Sequence, residues 1–342
     1  MKITIAARFC PFSHTPGTGC LIPGTKWQLR AFPTLLRFSY GQKQIELSLQ
    51  LTGPVKKFTL EQDLERKSIW VFGEAKEGYF RLRIRANDEG FLLDAEKTPT
   101  AGLATSKGVL KSKDHLRFPV ELDFFTPSHV ERISFGSHKK QDWDQVLRRL
   151  DLKEIIPLFL DLSQKIPPVL SQQSFFSENE MEKRDVEPWL TAFFQAYFEQ
   201  IFIPRAPDDQ HLGIALFPTL DLEGDPCHLI ADAAKWIRSL FFVQNERRLQ
   251  ILPRLPPSLE AGRFIGIHMP GIGTLDIEWS KALLRKAVLR GSTSGEILFD
   301  LQTGIRSFRI RSGRLDKGHA HNSAEPLLVQ SGKTYFLDHF KK

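Results

Sequence analysis

The stretch Phe80-Arg81-Leu82-Arg83-Ile84-Arg85 alternates apolar and charged side chains without a break. A period of two places Phe80, Leu82 and Ile84 on one face of a β-strand and the three arginines on the other. Asn87-Asp88-Glu89-Gly90 then supplies a turn into Phe91-Leu92-Leu93, so the pair reads as a hairpin. Working outward, Ser68–Phe72, Gln44–Leu51 and Leu116–Phe125 obey the same rule, with Gly41, Gly53-Pro54 and Gly73 as punctuation. Helical periodicity is absent from Lys2 to about Arg132. Residues 1–136 are therefore expected to form a basic, β-sandwich-like domain.

The pattern changes at Ser137-His138-Lys139-Lys140. Trp143, Val146, Leu147 and Leu150 recur at helical spacing, and Pro157 is expected to end or kink the helix they begin. Val186, Trp189, Leu190, Phe193, Phe194, Tyr197, Phe198 and Ile201 predict a second helix. Asp225-Pro226 supplies an N-cap and an N1 proline for a third, with Leu229, Ala233, Trp236, Ile237, Leu240 and Phe241 facing inward. Gln164–Glu182 reads as an irregular connection. After Gln244 strand signals return: Arg247–Leu252, Arg263–Met269, Thr274–Trp279, Leu284–Arg290, Glu296–Leu301, Ile305–Ile310 and Leu327–Leu337. The predicted class is α+β multidomain: an N-terminal β-sandwich (1–136), a short helical unit (137–246) and a C-terminal β-sandwich (247–342).

Charge follows the same boundaries. The 342-residue chain carries 47 Lys+Arg against 40 Asp+Glu, a net +7. Residues 1–140 hold 22 basic and 14 acidic side chains, 141–250 hold 11 and 18, and 251–342 hold 14 and 8. This predicts that the basic sheets dock on the acidic helices through complementary fields. The apolar runs fall short of the ~20 residues of a membrane span. Arg8 interrupts any signal-peptide core, and three sparse cysteines (Cys10, Cys20, Cys227) fit a reducing compartment, so a cytoplasmic location is expected.

No phosphate-binding loop, dinucleotide fingerprint, zincin motif or nucleophile elbow occurs at its required spacing. No cofactor or metal is expected. Cys10, His14 and Cys20 read as buried thiols and a loop imidazole, since a fourth zinc ligand is not evident. His319 and His321 read as a surface loop. The densest polar constellation is Gly136–Asp144. There His138, Lys139, Lys140 and Trp143 are candidates to bind a ligand, and Asp142 and Asp144, with Glu187, are candidate catalytic carboxyls. The competing account makes this segment a helix entry, with carboxylates offsetting the dipole and Trp143 a core anchor. The arginine rows Arg81/Arg83/Arg85 and Arg306/Arg309/Arg311/Arg314 suit phosphate contacts, but Glu61, Asp63, Glu65, Glu74 and Glu77 suggest ion pairs instead. Nucleic acid is thus not the expected partner.

Three runs at the C-terminal end carry a resemblance: Gln250-Ile251-Leu252-Pro253-Arg254-Leu255-Pro256, Gly262-Arg263-Phe264-Ile265-Gly266-Ile267 and Gly273-Thr274-Leu275-Asp276-Ile277-Glu278-Trp279. Together with Gly332-Lys333-Thr334-Tyr335, they resemble the exit from the helical barrel and the C-terminal β-domain of family 95 glycoside hydrolases, the α-L-fucosidase-like enzymes. The resemblance covers about 95 residues and implies the fold of that β-domain. It transfers no active site, because the family's catalytic (α/α)6 barrel needs several hundred residues and the acidic middle has about 110. The leading expectation is a non-catalytic, glycoside-hydrolase-like protein that binds carbohydrate or a protein partner. The alternatives are a compact glycosidase acting on an oligosaccharide and a nucleic-acid or protein interaction module built on the basic β-domains.

Overall fold

The structure is a computed structural model that describes residues 2–6, 8–136, 141–149, 151–168, 187, 190, 226–313 and 315–342. In chain order its strands are β1 (Phe12–Ser13), β2 (Gly19–Leu21), β3 (Gln28–Phe32), β4 (Leu35–Tyr40), β5 (Lys43–Ser48), β6 (Lys56–Asp63), β7 (Ser68–Ala75), β8 (Gly78–Asn87), β9 (Gly90–Lys97), β10 (Leu103–Thr105), β11 (Gly108–Leu110), β12 (His115–Pro119) and β13 (Arg132–Ser134). Helices α1 (Trp143–Arg149), α2 (Leu152–Ser163) and α3 (Pro226–Phe241) follow. The remaining strands are β14 (Phe242–Asn245), β15 (Arg248–Ile251), β16 (Gly262–Met269), β17 (Gly273–Ser280), β18 (Leu283–Gly291), β19 (Gly295–Asp300), β20 (Ser307–Arg311), β21 (His319–Asn322), β22 (Leu327–Val329) and β23 (Thr334–Lys341). The chain is rich in β-structure. None of the described helices is long and apolar enough to cross a membrane.

In the N-terminal half, a six-stranded sheet runs β1-β6-β7-β8-β9-β12 and a four-stranded sheet runs β2-β3-β4-β5, with β10 and β11 pairing separately. The alternation read from Phe80–Arg85 is the alternation observed. Phe80, Leu82 and Ile84 are fully buried while the intervening arginines stay half-buried. The inner faces meet through Phe38 on β4, whose ring lies 5.1 Å from Phe91 on β9 and 5.6 Å from Phe118 on β12. The β8–β9 hairpin closes on Asn87–Gly90, where the Glu89 N–H donates to Asn87 Oδ1 at 3.1 Å. Gly90 has φ +130°, and a Cβ there would lie 2.2 Å from the Phe118 carbonyl oxygen, so the position demands glycine twice over.

The C-terminal half holds a seven-stranded sheet, β13-β16-β17-β18-β23-β20-β21, and a four-stranded sheet, β14-β15-β19-β22, in which β15 and β19 run parallel. β13 lies within 1–136 yet pairs with β16, Ile133 opposite Phe264, so the first 136 residues end inside the C-terminal sheet. Two local expectations are corrected. His319 and His321 belong to an edge strand paired with β20, not a loop. Leu327–Leu337 is two strands, because Gln330–Lys333 turns the chain.

Helix α1 ends before Pro157, contrary to expectation. Asp151 starts a new helix, adopting extended backbone and accepting from the Lys153 N–H at 3.0 Å, and Pro157 is accommodated inside α2. The predicted helix from Val186 to Ile201 lies outside the described residues, except that Glu187 and Leu190 are helical. In α3, Ala233, Trp236, Ile237, Leu240 and Phe241 are buried as expected. Phe241 joins Phe135, Phe264 and Trp279 in an aromatic cluster with ring centroids 5.6 to 6.3 Å apart, and Trp279 Nε1 donates to the Leu259 carbonyl at 2.9 Å. This cluster anchors α3 on the seven-stranded sheet.

Two predictions follow from these contacts. Gly90→Ala should lower the thermal midpoint by several degrees, equivalent to a cost of about 2 kcal/mol or more from backbone strain and collision. A midpoint unchanged in differential scanning calorimetry would show that the hairpin relaxes freely. Asp338 on β23 supplies the second. Burial raises its carboxyl pKa, but the guanidinium groups of Arg309 (2.8 Å) and Arg311 lower it more, leaving it below the ordinary value. A depressed native value contributes stability at pH above the unfolded value of ~3.9, which is lost as pH falls through the native one. Asp338→Asn should therefore lower the melting temperature at pH 7 and flatten its decline between pH 5 and ~2, as followed by circular dichroism.

Candidate functional site

A concavity lies where α2 and α3 meet the start of β13 and the end of β16. Its volume is about 450 Å³, and its lining combines the apolar Leu160, Ala231, Ala234 and Pro270 with the polar His129, Glu131, Gln164, Lys235, Arg238 and His268. A second concavity of about 300 Å³ shares His129, Ser163, Gln164 and Ala231 with the first and continues to Phe125, Ile166 and Pro167. The two form one groove along the helices, combining apolar side chains with a few polar groups, the usual composition of a small-ligand site.

Glu131 organises the wall. Arg238 donates from Nε to Oε2 (2.7 Å) and from Nη2 to Oε1 (2.9 Å), a bidentate pair, and the His268 backbone N–H donates to Oε1 at 2.8 Å. Arg238 Nη2 also reaches the His268 carbonyl at 2.9 Å, and its guanidinium lies 5.0 Å over the Phe242 ring. The Glu131 backbone is read by Gln164, which accepts from its N–H at 2.6 Å and donates to its carbonyl at 2.9 Å. With three N–H donors on its oxygens, this carboxylate anchors the elements around it. The imidazoles of His129 and His268 stack almost parallel, centroids 4.5 Å apart and planes at 9°. His268 Nδ1 is buried without a hydrogen-bond partner, so the ring presents only its far edge and its face to the groove.

The candidates named from sequence that fall on described residues lie elsewhere. His138, Lys139 and Lys140 are outside the described residues. Gln141 and Asp142 run beside β1, the Phe12 N–H donating to the Gln141 carbonyl at 2.9 Å. Trp143 is 1% exposed, its ring enclosed by the core, which is the anchor position and offers no face for stacking a ligand. Asp142 caps α1, its carboxylate accepting from the Gln145 N–H (3.3 Å) and side-chain amide (2.9 Å). Asp144 accepts from Ser13 Oγ at 2.9 and 3.0 Å and from the His14 N–H at 3.2 Å. Glu187 accepts from the Ser258 N–H at 3.3 Å. Asp142 and Asp144 tie the helix entry to its surroundings, and none of the three carboxylates lines the described concavities.

Cys20 is fully buried, and burial pushes its thiol pKa up. His14 Nδ1 lies at hydrogen-bond distance from the Phe58 carbonyl and Thr59 Oγ1. Among the described residues, no three His, Cys, Asp or Glu side chains are grouped to hold a metal ion. The expected charge complementarity is inverted at the contact that closes the groove: there the acid, Glu131, comes from the basic N-terminal segment, and the base, Arg238, from the acidic middle. Sequence reasoning missed His129, Glu131, Gln164 and Arg238 because they lie far apart in the chain and form no motif. His268 fell within the C-terminal resemblance without any role.

The chain matches no protein-family profile and no curated protein sequence. Arg238→Met should cost on the order of 2 kcal/mol in urea unfolding, because it leaves the half-buried Glu131 carboxylate without its principal partner. A loss below about 0.5 kcal/mol would reduce the pair to an ordinary surface contact.

Proposed function

We propose that this chain is a glycoside-hydrolase-like, non-catalytic binding protein that holds a carbohydrate in the groove between α2, α3 and β16. One observation carries the reading: Leu160, Ala231, Ala234 and Pro270 line a concavity of about 450 Å³ together with two stacked imidazoles and cationic side chains. A sugar ring has that same division, with C–H faces for apolar and aromatic contact and hydroxyls for the polar rim. The groove continues past His129, which gives room for an oligosaccharide rather than a single ring.

Supporting the glycoside-hydrolase-like part, the runs that carry the family 95 resemblance form β15 to β17 and the start of β23, and the prolines 253 and 256 lead the chain from β15 to the sheet. The facing sheets of each half are read as β-sandwiches, supported in the first by the Phe38 contacts with Phe91 and Phe118. A cytoplasmic location is supported by three cysteines that are all buried and form no disulfide. Glycosidase chemistry needs two carboxyls about 5–10 Å apart across a cleft. Among the described residues, the groove is lined by the single carboxylate of Glu131, which Arg238 already holds.

Isothermal calorimetry with a panel of neutral and acidic oligosaccharides tests the proposal. Heat is expected with at least one sugar, and His268→Ala, which removes the imidazole but keeps the backbone bond to Glu131, should weaken binding about 10-fold or more, about 1.4 kcal/mol. No heat with any sugar would remove the carbohydrate assignment.

A further inference from the structure

The two sheets of the C-terminal half present outer faces of different character. On the four-stranded sheet, strand alternation sends Leu249, Ile297, Phe299 and Val329 into the core. It turns outward Arg248 and Gln250 of β15, Glu296, Leu298 and Asp300 of β19, and Leu328 of β22. The register makes these side chains neighbours: Arg248 lies opposite Leu298, Gln250 opposite Asp300, and Glu296 opposite Leu328. Leu298 and Leu328 are 38% and 57% exposed, so two leucines of adjacent strands stand in water.

The charges on this face are unpaired although opposite signs are close. Glu296 and Asp300 each lie two residues along β19 from Leu298, so both are diagonal neighbours of Arg248, at a spacing that a long side chain can bridge. Among the described residues, Arg248, Glu296 and Asp300 nevertheless enter no ion pair. The outer face of the seven-stranded sheet shows the alternative. There Arg263, Glu278, Lys286, Asp338 and Arg309 stand opposite one another in a single row across β16, β17, β18, β23 and β20. Arg263 and Lys286 hold Glu278 at 3.1 and 2.7 Å, and Arg309 holds Asp338 at 2.8 Å. That row satisfies itself. The smaller face leaves a guanidinium and two carboxylates without partners around exposed leucines, the division into apolar centre and polar rim that protein interfaces share.

We propose that a second copy of this chain docks on the outer face of the four-stranded sheet, forming a two-fold symmetric dimer. Charge identifies the occupant. A two-fold axis parallel to the strands, between β15 and β19, lays β15 of one copy over β19 of the other. Each Arg248 then meets the partner's Glu296 and Asp300, and the leucines of the two copies close the centre. An acidic partner would leave Glu296 and Asp300 unmatched and a basic one would leave Arg248 unmatched, whereas the face itself carries both signs in a self-complementary arrangement. The surface measures roughly 20 Å by 20 Å, below the ~800 Å² that each partner gives to a standard interface, so the dimer is reversible and forms at tens of micromolar. This inference is independent of the groove, whose lining comes from other elements.

Sedimentation velocity on the full chain from about 1 to about 200 µM tests the proposal. The expected result is a concentration-dependent shift from monomer to dimer that weakens as salt is added. Arg248→Glu and the double variant Glu296→Arg/Asp300→Arg change exposed positions, and a melting curve verifies that each is folded. Each should weaken self-association at least ~10-fold, because like charges then face one another. Mixed in equal amounts, the two variants should regain the association of the unaltered chain, since every pair across the mixed interface is again opposite in sign. Leu298→Ser should also weaken the dimer at least ~10-fold while leaving its salt dependence unchanged. A monomer over the whole concentration range overturns the inference. So does a dimer that Arg248→Glu and Leu298→Ser leave intact, which places the contact on another face. Loss of association in both charge variants without recovery on mixing likewise overturns the two-fold pairing.

Discussion

The arrangement of helices and sheets depends on the fixation of one residue, Glu131. Its carboxylate is held by Arg238 of α3 and by the backbone of His268 at the end of β16, and its main chain is held by Gln164 beyond the end of α2. Three elements distant in sequence are thereby referred to a single position just before β13. Hydrogen bonds that involve a charged group are roughly twice as strong as neutral ones and more directional, so this junction fixes geometry in a way that the surrounding apolar contacts do not. The aromatic cluster of Phe135, Phe241, Phe264 and Trp279 supplies bulk cohesion a few residues further on. Burial there is nondirectional.

That division of labour bears on the groove. A site whose polar wall is a closed hydrogen-bond network is largely built before any ligand arrives, and little ordering remains to oppose binding. The same closure commits Glu131 and Arg238 to one another. The Gln164 amide is likewise committed, donating to the Glu131 and Leu160 carbonyls and accepting from the Glu131 N–H, which leaves the imidazole stack and the apolar lining to meet a ligand.

The strands were legible where one periodic face met one core, as at Phe80–Arg85, because a sheet with one buried face writes a period of two into the chain. The helix starts at Trp143 and Pro226 were legible for the corresponding reason. Legibility failed where a residue's environment is set by distant chain. Pro157 reads locally as a terminator, but Asp151 had already begun a new helix. His319 and His321 have no apolar alternation because an edge strand with exposed faces does not require it. The groove was the least legible part, since His129, Glu131, Gln164, Arg238 and His268 come from four separate segments. The arginine rows alternate as read, and the expected cross-strand ion pairing holds for Arg85 with Asp94 and for Arg309 and Arg311 with Asp338. Arg81 and Arg83 lie over Trp70 instead, and the partner acids are not the ones named from sequence, because pairing depends on side-chain reach rather than on composition.

β13 carries a different consequence. Three residues, Arg132 to Ser134, complete the edge of a sheet whose other strands begin at Gly262, so Ile133 must find Phe264 across more than a hundred intervening residues. Closing so long a loop is entropically costly and kinetically late. The antiparallel pairs from β2 to β5 and from β6 to β9 join neighbouring strands over short loops and do not need that pairing. During synthesis the first sheets can therefore mature while the edge strand waits for its neighbour to leave the ribosome. A cut at residue 136 looks natural in sequence, but it would strip the second sheet of its edge and deprive Arg238 of its carboxylate, so the two halves are divisible by composition and not by surgery.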